Sequence, residues 1–465
     1  MSNFIVDFFK EPPIKEEIKD KNTIDKMYKY WQFRIFYTTY IAYILVHLCR
    51  KNLSIALPFM ASDLHFTNTQ LGILGSTLYI TYGIGKFVNG IIADRSNIRT
   101  FLPTAFVLTA IANLCFVYST VFITPGKVTF FGLPSASILL WIMAFFWGAN
   151  GWFQSMVFPP ISKSLSYWIP RSQRATKWSI WTTCQKCGII VSILFSGFLA
   201  KYFGWRSVFV IPAIISILFS VWLYDRLRDK PQTMGLPDVD VYNNENLENE
   251  VVAAEDKMSY IEIFKKQILF NKIIWLISIG YAFVYVVRFG AEDWFVKYLM
   301  EYKLNSIEAA TSKLSMLAIF GSLGAIAAGW CADKFFQNDK IKINLILFSG
   351  LAISLILFHM NTISILDYVF AASIGFFIAG PQFLLGGICA LEASSKKVVS
   401  ATLGFCDLFG YAGAILSAVG TGIMIDTFGW KGAIYFWLIA ISISMFTCLL
   451  IMMYQRKHKN IFDCK

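Results

Sequence analysis

Arg50 and Lys51 sit well inside the apolar stretch Tyr40–Pro58, and Arg288 sits inside another, Ile273–Trp294. Arg50 follows Ile35 by 15 residues, and Arg288 follows Ile273 by 15. Each guanidinium is therefore about 22 Å along its helix at 1.5 Å per residue, most of the way through an apolar layer roughly 30 Å thick. A formal cation at such depth costs on the order of 2.5–3.5 kcal/mol. A single one can escape by snorkelling to water; two at matched depth ask for a shared reason. Guanidinium groups converging in a low dielectric repel strongly unless an anion lies between them. The planar fork matches phosphate or carboxylate oxygens bidentately, which an ammonium group does not. The chemistry is anion binding rather than bond making. No nucleophile–base pair or metal cluster appears in the sequence, so neither an enzyme nor a cofactor is expected.

The elements that must position these arginines are membrane helices. The 465 residues are 56% hydrophobic, 17% aromatic and only 15% charged, with apolar runs too many and too long for a soluble core. A net charge of +12 could suit nucleic acid. Lys and Arg gather instead in alternate loops between apolar runs, which is the positive-inside pattern, so nucleic acid is not the expected partner. The nine cysteines are scattered, and Cys184 and Cys187 read as small helix-packing residues. The N-terminal 33 residues show neither a short apolar core nor a cleavage site, so no signal peptide is expected.

Taken in order, residues 1–33 form a basic, cytoplasmic N-terminal arm. Six spans follow near 34–57, 71–93, 100–121, 136–158, 178–200 and 206–225, making an N-terminal bundle over 34–225. The loops after spans two and four carry Arg95, Arg99, Lys163, Arg171, Arg174 and Lys177, while Pro58–Gln70 has no basic residue. That contrast puts the N-terminus inside. A polar, partly helical cytoplasmic linker covers 226–270. Six more spans, near 272–298, 310–331, 341–360, 363–387, 398–424 and 430–454, make a second bundle over 271–455, and a basic cytoplasmic tail covers 456–465.

The two halves repeat. Gly90-Ile-Ile-Ala-Asp-Arg matches Gly329-Trp-Cys-Ala-Asp-Lys at an offset of 239, and Arg50 matches Arg288 at 238. Phe203-Gly-Trp-Arg matches Phe428-Gly-Trp-Lys at 225. Near-constant offsets indicate two six-helix bundles related in parallel about the membrane normal, twelve helices in an all-α membrane protein. Asp94, Arg95, Asp333 and Lys334 would then be gating-loop residues, with the glycine before each aspartate letting helices approach closely. A transporter of this design binds substrate near mid-membrane between its halves, so Arg50 and Arg288 are expected to face each other across the pore. Lys86 is either a third cation there or a snorkelling one. Lys51, about 100° round a continuous helix from Arg50, cannot face the substrate equally. Lys186 reads as a helix–helix contact.

On these motifs the chain resembles the organophosphate:phosphate antiporters of the major facilitator superfamily, the group holding glycerol-3-phosphate and hexose-phosphate transporters. The resemblance runs from about Tyr28 to Tyr454. It is carried by Arg50-Lys51-Asn52, Tyr82-Gly-x-x-Lys86-Phe, Asp94-Arg-Ser-Asn-x-Arg, Gly151-Trp-Phe-Gln and Pro159-Pro160. Further on come Arg228-Asp-Lys-Pro-Gln-x-x-Gly-Leu-Pro, Tyr285-Val-Val-Arg288, Asp293-Trp294 and Leu408-Phe-Gly-Tyr411. It implies rocking alternating access and exchange of an organic phosphate ester, glycerol-3-phosphate or hexose-6-phosphate, for inorganic phosphate. Its paired arginines fall on Arg50 and Arg288, its pore tyrosines on Tyr43, Tyr285 and Tyr411, and its span-two lysine on Lys86. A monomer in a bacterial inner membrane is expected.

The departures bear on the ester. The family's span-five histidine is Gln185 here, a tyrosine three residues before the first arginine is His47, and positions 379, 318 and 158 read Ala, Ala and Phe. Ala379 would widen the pocket, while Gln185 and His47 redistribute its hydrogen bonding. Two other functions stay open. A membrane sensor on the same scaffold would bind sugar phosphate and signal. A cation-coupled symporter would want embedded carboxylates, for which Glu292, Asp293 and Asp407 are candidates.

Overall fold

The computed structural model describes residues 8–94, 96–122, 129–130, 133–243, 268–335, 340–389 and 399–457. Apart from a two-residue antiparallel ladder between β1 (Thr129–Phe130) and β2 (Leu133–Pro134), its regular structure is helical. Contacts divide the chain into two units, Met1–Asn52 with Thr77–Ala253 and Leu53–Ser76 with Ala254–Lys465.

Among the described residues, ten helical segments are long and apolar enough to cross a membrane. One of these, Thr402–Gln455, contains two passes, because Gly429 (φ 65°, ψ −166°) breaks helical geometry inside it. Helix α3 (Asn68–Asp94) adds a pass of 27 residues, leaner in apolar groups because Thr69, Gln70, Thr77, Thr81, Lys86 and Asn89 lie on it. The passes number twelve, as the sequence pattern requires.

The first pass is not one continuous helix. Helix α1 (Lys21–Val46) starts at Asp20, whose carboxylate accepts from the Asn22 and Thr23 amides, and runs into a 3-10 turn, His47–Cys49. Helix α2 (Asn52–Leu64) resumes after Lys51. Neither glycine nor proline sits at the break. Side chains from another helix satisfy the carbonyl of Cys49: Asn150 Nδ2 and Gln154 Nε2 donate to Cys49 O at 2.9 and 2.7 Å, while Ser192 Oγ adds a bond of 2.8 Å to His47 O, which also accepts from the Arg50 and Lys51 amides. Such substitution is what makes broken helices tolerable away from water. The angular separation of Arg50 and Lys51 expected of a continuous helix therefore does not apply.

A second break follows in the fourth pass, between α5 (Ser135–Ser155) and α6 (Phe158–Trp168). Its cause is local. Pro159 and Pro160 open α6, where their missing N–H groups cost least and their fixed φ suits a first turn. Helices α4 (Ile98–Phe122), α7 (Arg171–Phe203) and α8 (Ser207–Arg226) complete the first unit's passes, with a short α9 (Val239–Tyr242) beyond them. Close approach occurs at Gly151, where a Cβ would fall 2.5 Å from Thr81 Oγ1 and 2.6 Å from Leu78 O. At Gly90 a Cβ would meet nothing within 4 Å among the described residues, which show no close approach there of the kind its motif suggested.

The repeated Phe-Gly-Trp-basic motif is a structural repeat too. Gly204 (φ 78°, ψ 163°) ends α7 and Gly429 ends the penultimate pass, both in a region of backbone space that only glycine occupies at ease.

In the second unit, α10 (Lys272–Glu301), α11 (Ile307–Phe335), α12 (Lys340–Met360) and α13 (Leu366–Phe383) precede a π turn, Leu384–Cys389, and α14 (Val399–Lys457). Small residues again set the approach: a Cβ at Gly413 would collide with Ala282 O, and Ser417 Oγ donates to Val286 O at 2.7 Å. Asp367, 1% exposed, accepts from Lys303 at 2.8 Å and from Lys313 at 3.1 Å, tying the α10–α11 turn to the start of α13.

Outside the first unit's passes, the N-terminal arm is strapped down. Glu11 receives Lys163 Nζ at 2.7 Å and Lys230 Nζ at 2.8 Å, and the Ile18 amide donates to Gly235 O at 2.8 Å. Burial works upward on the Glu11 carboxyl. The two ammonium groups outweigh it and hold Glu11 below its ordinary range, while the Glu11 bond raises Lys230. Asp229, held up by burial, accepts from the Ile98 amide at 3.0 Å and so caps α4. Of the linker, Pro231–Met234 and Val239–Tyr242 are helical, and 244–267 lie outside the described residues.

Candidate functional site

In the first unit the break between α1 and α2 aims Arg50. Its Nε donates to Gln154 Oε1 at 2.7 Å, and its guanidinium carbon lies 4.3 Å from the centre of the Tyr82 ring, within cation–π range. Gln154 is nearly enclosed, so one amide both fixes the arginine and closes the helix break through Cys49 O. Four residues beyond Tyr82 on α3, half-buried Lys86 places its ammonium 5.9 Å from the Phe158 ring. Lys86, Phe158, Pro159, Ser162 and Tyr167 line a cavity of about 620 Å³. Phe158 also meets Tyr43, ring centres 6.0 Å apart, so Tyr43 and Lys86 flank the same ring.

His47 is buried, and its Nδ1 donates to Tyr43 O at 2.7 Å. A Cβ at Gly188 of α7 would fall 3.0 Å from that nitrogen, so the helices are in close contact there. Gln185, half-buried on the same helix, makes no side-chain hydrogen bond among the described residues, which leaves both its donor and its acceptor available.

In the second unit the candidates lie on α10 and α14. Tyr281, Tyr285, Arg288 and Glu292 recur at helical spacing on α10, with Tyr281 donating to Tyr285 at 3.1 Å. Arg288 is 8% exposed. Its guanidinium carbon is 5.5 Å from the Tyr285 ring centre and 5.0 Å from that of Phe289, and Nε donates to Glu292 Oε1 at 3.0 Å. The outer edge, Nη1 and Nη2, makes no hydrogen bond among the described residues. Tyr411 of α14 stands edge-on to Tyr285, ring centres 6.3 Å apart. Next to it, Gly410 leaves room for both tyrosines: a Cβ there would be 3.1 Å from Tyr281 and 3.2 Å from Tyr285.

Sequence reasoning quoted Gln154 and Tyr82 in motifs without giving either a role, and it passed over Asn150 and Tyr281. The usable signal was spacing: Asn150 with Gln154, Tyr82 with Lys86, and Tyr281 with Tyr285 are each four apart, on one helix face. Among the gating candidates, Lys334 is exposed and covers Trp330 at 4.8 Å. Arg95 and the side chains of Asp94 and Asp333 lie outside the described residues. Ala379 is 7% exposed and lies 3.8 Å from where a Cβ on Gly321 would stand. The missing tyrosine ring is thus accommodated by close α11–α13 packing. Among the described residues, no three His, Cys, Asp or Glu side chains gather where they could hold a metal ion.

The sequence pattern of the Major Facilitator Superfamily matches residues 39–418. A probable hexose phosphate transport protein of Chlamydia muridarum is 37% identical over 442 residues, covering 92% of this chain and 93% of that one. A membrane sensor protein of Escherichia coli is 33% identical, covering 96% and 97%, and a glycerol-3-phosphate transporter of Bacillus subtilis is 32% identical, covering 92% and 94%. Among solved structures, an inward-facing bacterial homologue of the human lysosomal transporter Spinster superposes with a TM-score of 0.71 at 16% identity, covering 92% of this chain and 97% of that one. A twelve-pass helical fold, the matching pattern over most of the chain and relatives aligned nearly end to end lead to one conclusion: the chain belongs to the Major Facilitator Superfamily.

Proposed function

We propose that this protein exchanges an organic phosphate ester for inorganic phosphate across a bacterial inner membrane by rocking alternating access. The observation that carries the reading is the pair of arginines, Arg50 half-buried and Arg288 buried, each oriented through Nε by a side-chain oxygen and each against an aromatic ring. A guanidinium held by its inner edge, as Arg288 is, presents its outer edge to a planar or tetrahedral oxyanion with little left to order, which is preorganisation. Relatives named for hexose phosphate and glycerol-3-phosphate supply the substrate class. Arg50 and Arg288 would hold the phosphate, with Lys86 as a further cation. Tyr43, Tyr285, Tyr411, His47 and Gln185 would read the rest of the molecule. Without an anion, the two arginines oppose the closed, dehydrated intermediate; a bound phosphate relieves that penalty. Crossing then requires phosphate or its ester in either direction, which makes exchange obligatory.

The alternating basic loops support cytoplasmic termini and a cytoplasmic linker, with Asp94, Arg95, Asp333 and Lys334 in the gating loops. A monomer suffices for this cycle. The symporter reading loses ground because Glu292, one of its few embedded carboxylates, is committed to Arg288. A second reading has its own observation: a relative covering 96% of the chain is a membrane sensor protein.

Proteoliposomes decide between them. Vesicles loaded with phosphate should take up labelled ester, empty vesicles should not, and Arg50→Lys and Arg288→Lys should each lose most uptake. Binding with negligible uptake would favour the sensor. Equal uptake by empty vesicles would rule out obligatory exchange.

A further inference from the structure

The two arginines differ in what holds Nε. Arg50 is held by the neutral amide of Gln154, and Arg288 by the carboxylate of Glu292. An amide oxygen would fix the guanidinium as well as a carboxylate does, as Gln154 demonstrates. A carboxylate inside a membrane pass is also costly to desolvate. The side chains of Arg288 and Glu292 are 10% and 13% exposed, so little water screens the extra charge. What the carboxylate adds over the amide is one negative charge beside the edge that Arg288 leaves open. We propose that Glu292 sets the charge of the anion this protein takes: as an internal counter-anion on Arg288, it biases the site toward a phosphate group carrying one negative charge and against one carrying two. The inference rests on the assignment of Arg288 to phosphate binding.

The size of the effect follows from Coulomb's law. A unit charge about 6 Å from the bound oxygens, at an effective dielectric constant of about 20, changes relative affinity on the order of tenfold to a hundredfold per added ligand charge. Tyr281 and Tyr285 on the same face of α10, Tyr411 of α14 against Tyr285, and every other ionisable group are common to wild type and variants, so substitution at Glu292 isolates its contribution.

The test uses the full chain, purified, with binding read by calorimetry at about pH 8, where a phosphate monoester carries close to two charges. The probes are glycerol-3-phosphate and its O-methyl diester, which has one fixed charge. Glu292→Gln keeps an acceptor for Arg288 Nε, and Glu292→Leu removes acceptor and charge together. Both should move the monoester-to-diester affinity ratio at least tenfold toward the monoester, and Glu292→Asp should keep the wild-type ratio. A ratio unchanged in the neutral variants, or both affinities falling by one common factor, would mean that Glu292 only orients Arg288 and would overturn the proposal. If wild type binds neither probe nor inorganic phosphate, the phosphate assignment itself fails and takes the proposal with it. If wild type binds and Arg288→Lys does not, that assignment stands and the ratio alone judges Glu292.

Discussion

Gln154 holds Arg50 with its amide oxygen and, with its amide nitrogen, the backbone carbonyl of Cys49 just before it. One side chain thus couples the direction of the guanidinium to the break in the helix that carries it. Gln154→Leu should free both. Losing buried hydrogen bonds of this kind costs about 1–3 kcal/mol, and Asn150 still serves Cys49 O, so the variant should fold. Phosphate affinity should fall about tenfold or more because Arg50 loses its fixed edge. Titration with inorganic phosphate checks this, and an unchanged affinity would separate Gln154 from the site.

Gly204 and Gly429 supply a prediction that no ligand can obscure. At both, a Cβ would meet nothing within 4 Å, so an alanine carries only conformational strain. Each substitution should cost about 1–3 kcal/mol from the backbone region alone. Melting of the purified protein in detergent should show similar losses for Gly204→Ala and Gly429→Ala. A loss at one position only would mean that the two turns are not equivalent.

Much of this was legible in the chain. The twelve passes and the repeated Phe-Gly-Trp-basic turn needed only counting, because membrane thickness and helix rise fix how long an apolar run must be to cross. The break at His47–Cys49 was not legible. Its cause lies about a hundred residues away in Asn150 and Gln154, with no local breaker to announce it. Lys313 with Asp367, 54 residues apart, hid for the same reason: apolar helices conceal their charges until the partner is known. Gly90 shows no close approach among the described residues because a motif fixes residue type, not what stands opposite.

The arm makes stability depend on pH in a stated direction. Glu11 titrates below its unfolded value, so its contribution is complete above about pH 4.5 and is lost as pH falls through the folded value. Lys230 titrates above its unfolded value, so its contribution is complete below about pH 10.5 and is lost as pH rises through the folded value. Asp229, raised by burial, runs the other way: its ionisation is a cost that acid relieves. Between about pH 5 and 4 the wild type should lose more melting temperature than Glu11→Gln. Parallel curves would show that the strap contributes nothing there.

On the proposed function, Gln185 is the residue expected to discriminate between esters. Ala379 is buried in α11–α13 packing, so a tyrosine restored there would disturb helices as well as ligand. His47 already spends Nδ1 on Tyr43 O. Gln185 is half-buried with no hydrogen-bond partner among the described residues, which leaves an amide able to read hydroxyl groups. Inorganic phosphate has no organic tail to read; glucose-6-phosphate has several hydroxyls and glycerol-3-phosphate has two. Gln185→Leu should therefore leave phosphate–phosphate exchange near wild type and weaken glucose-6-phosphate about tenfold, with glycerol-3-phosphate affected less. Gln185→His, which keeps hydrogen bonding in a bulkier ring, should shift preference toward the smaller ester. Counterflow into phosphate-loaded vesicles measures all three substrates against one internal standard. If Gln185→Leu lowers phosphate and both esters by one common factor, the amide supports the helix instead of reading the tail, and specificity must reside elsewhere.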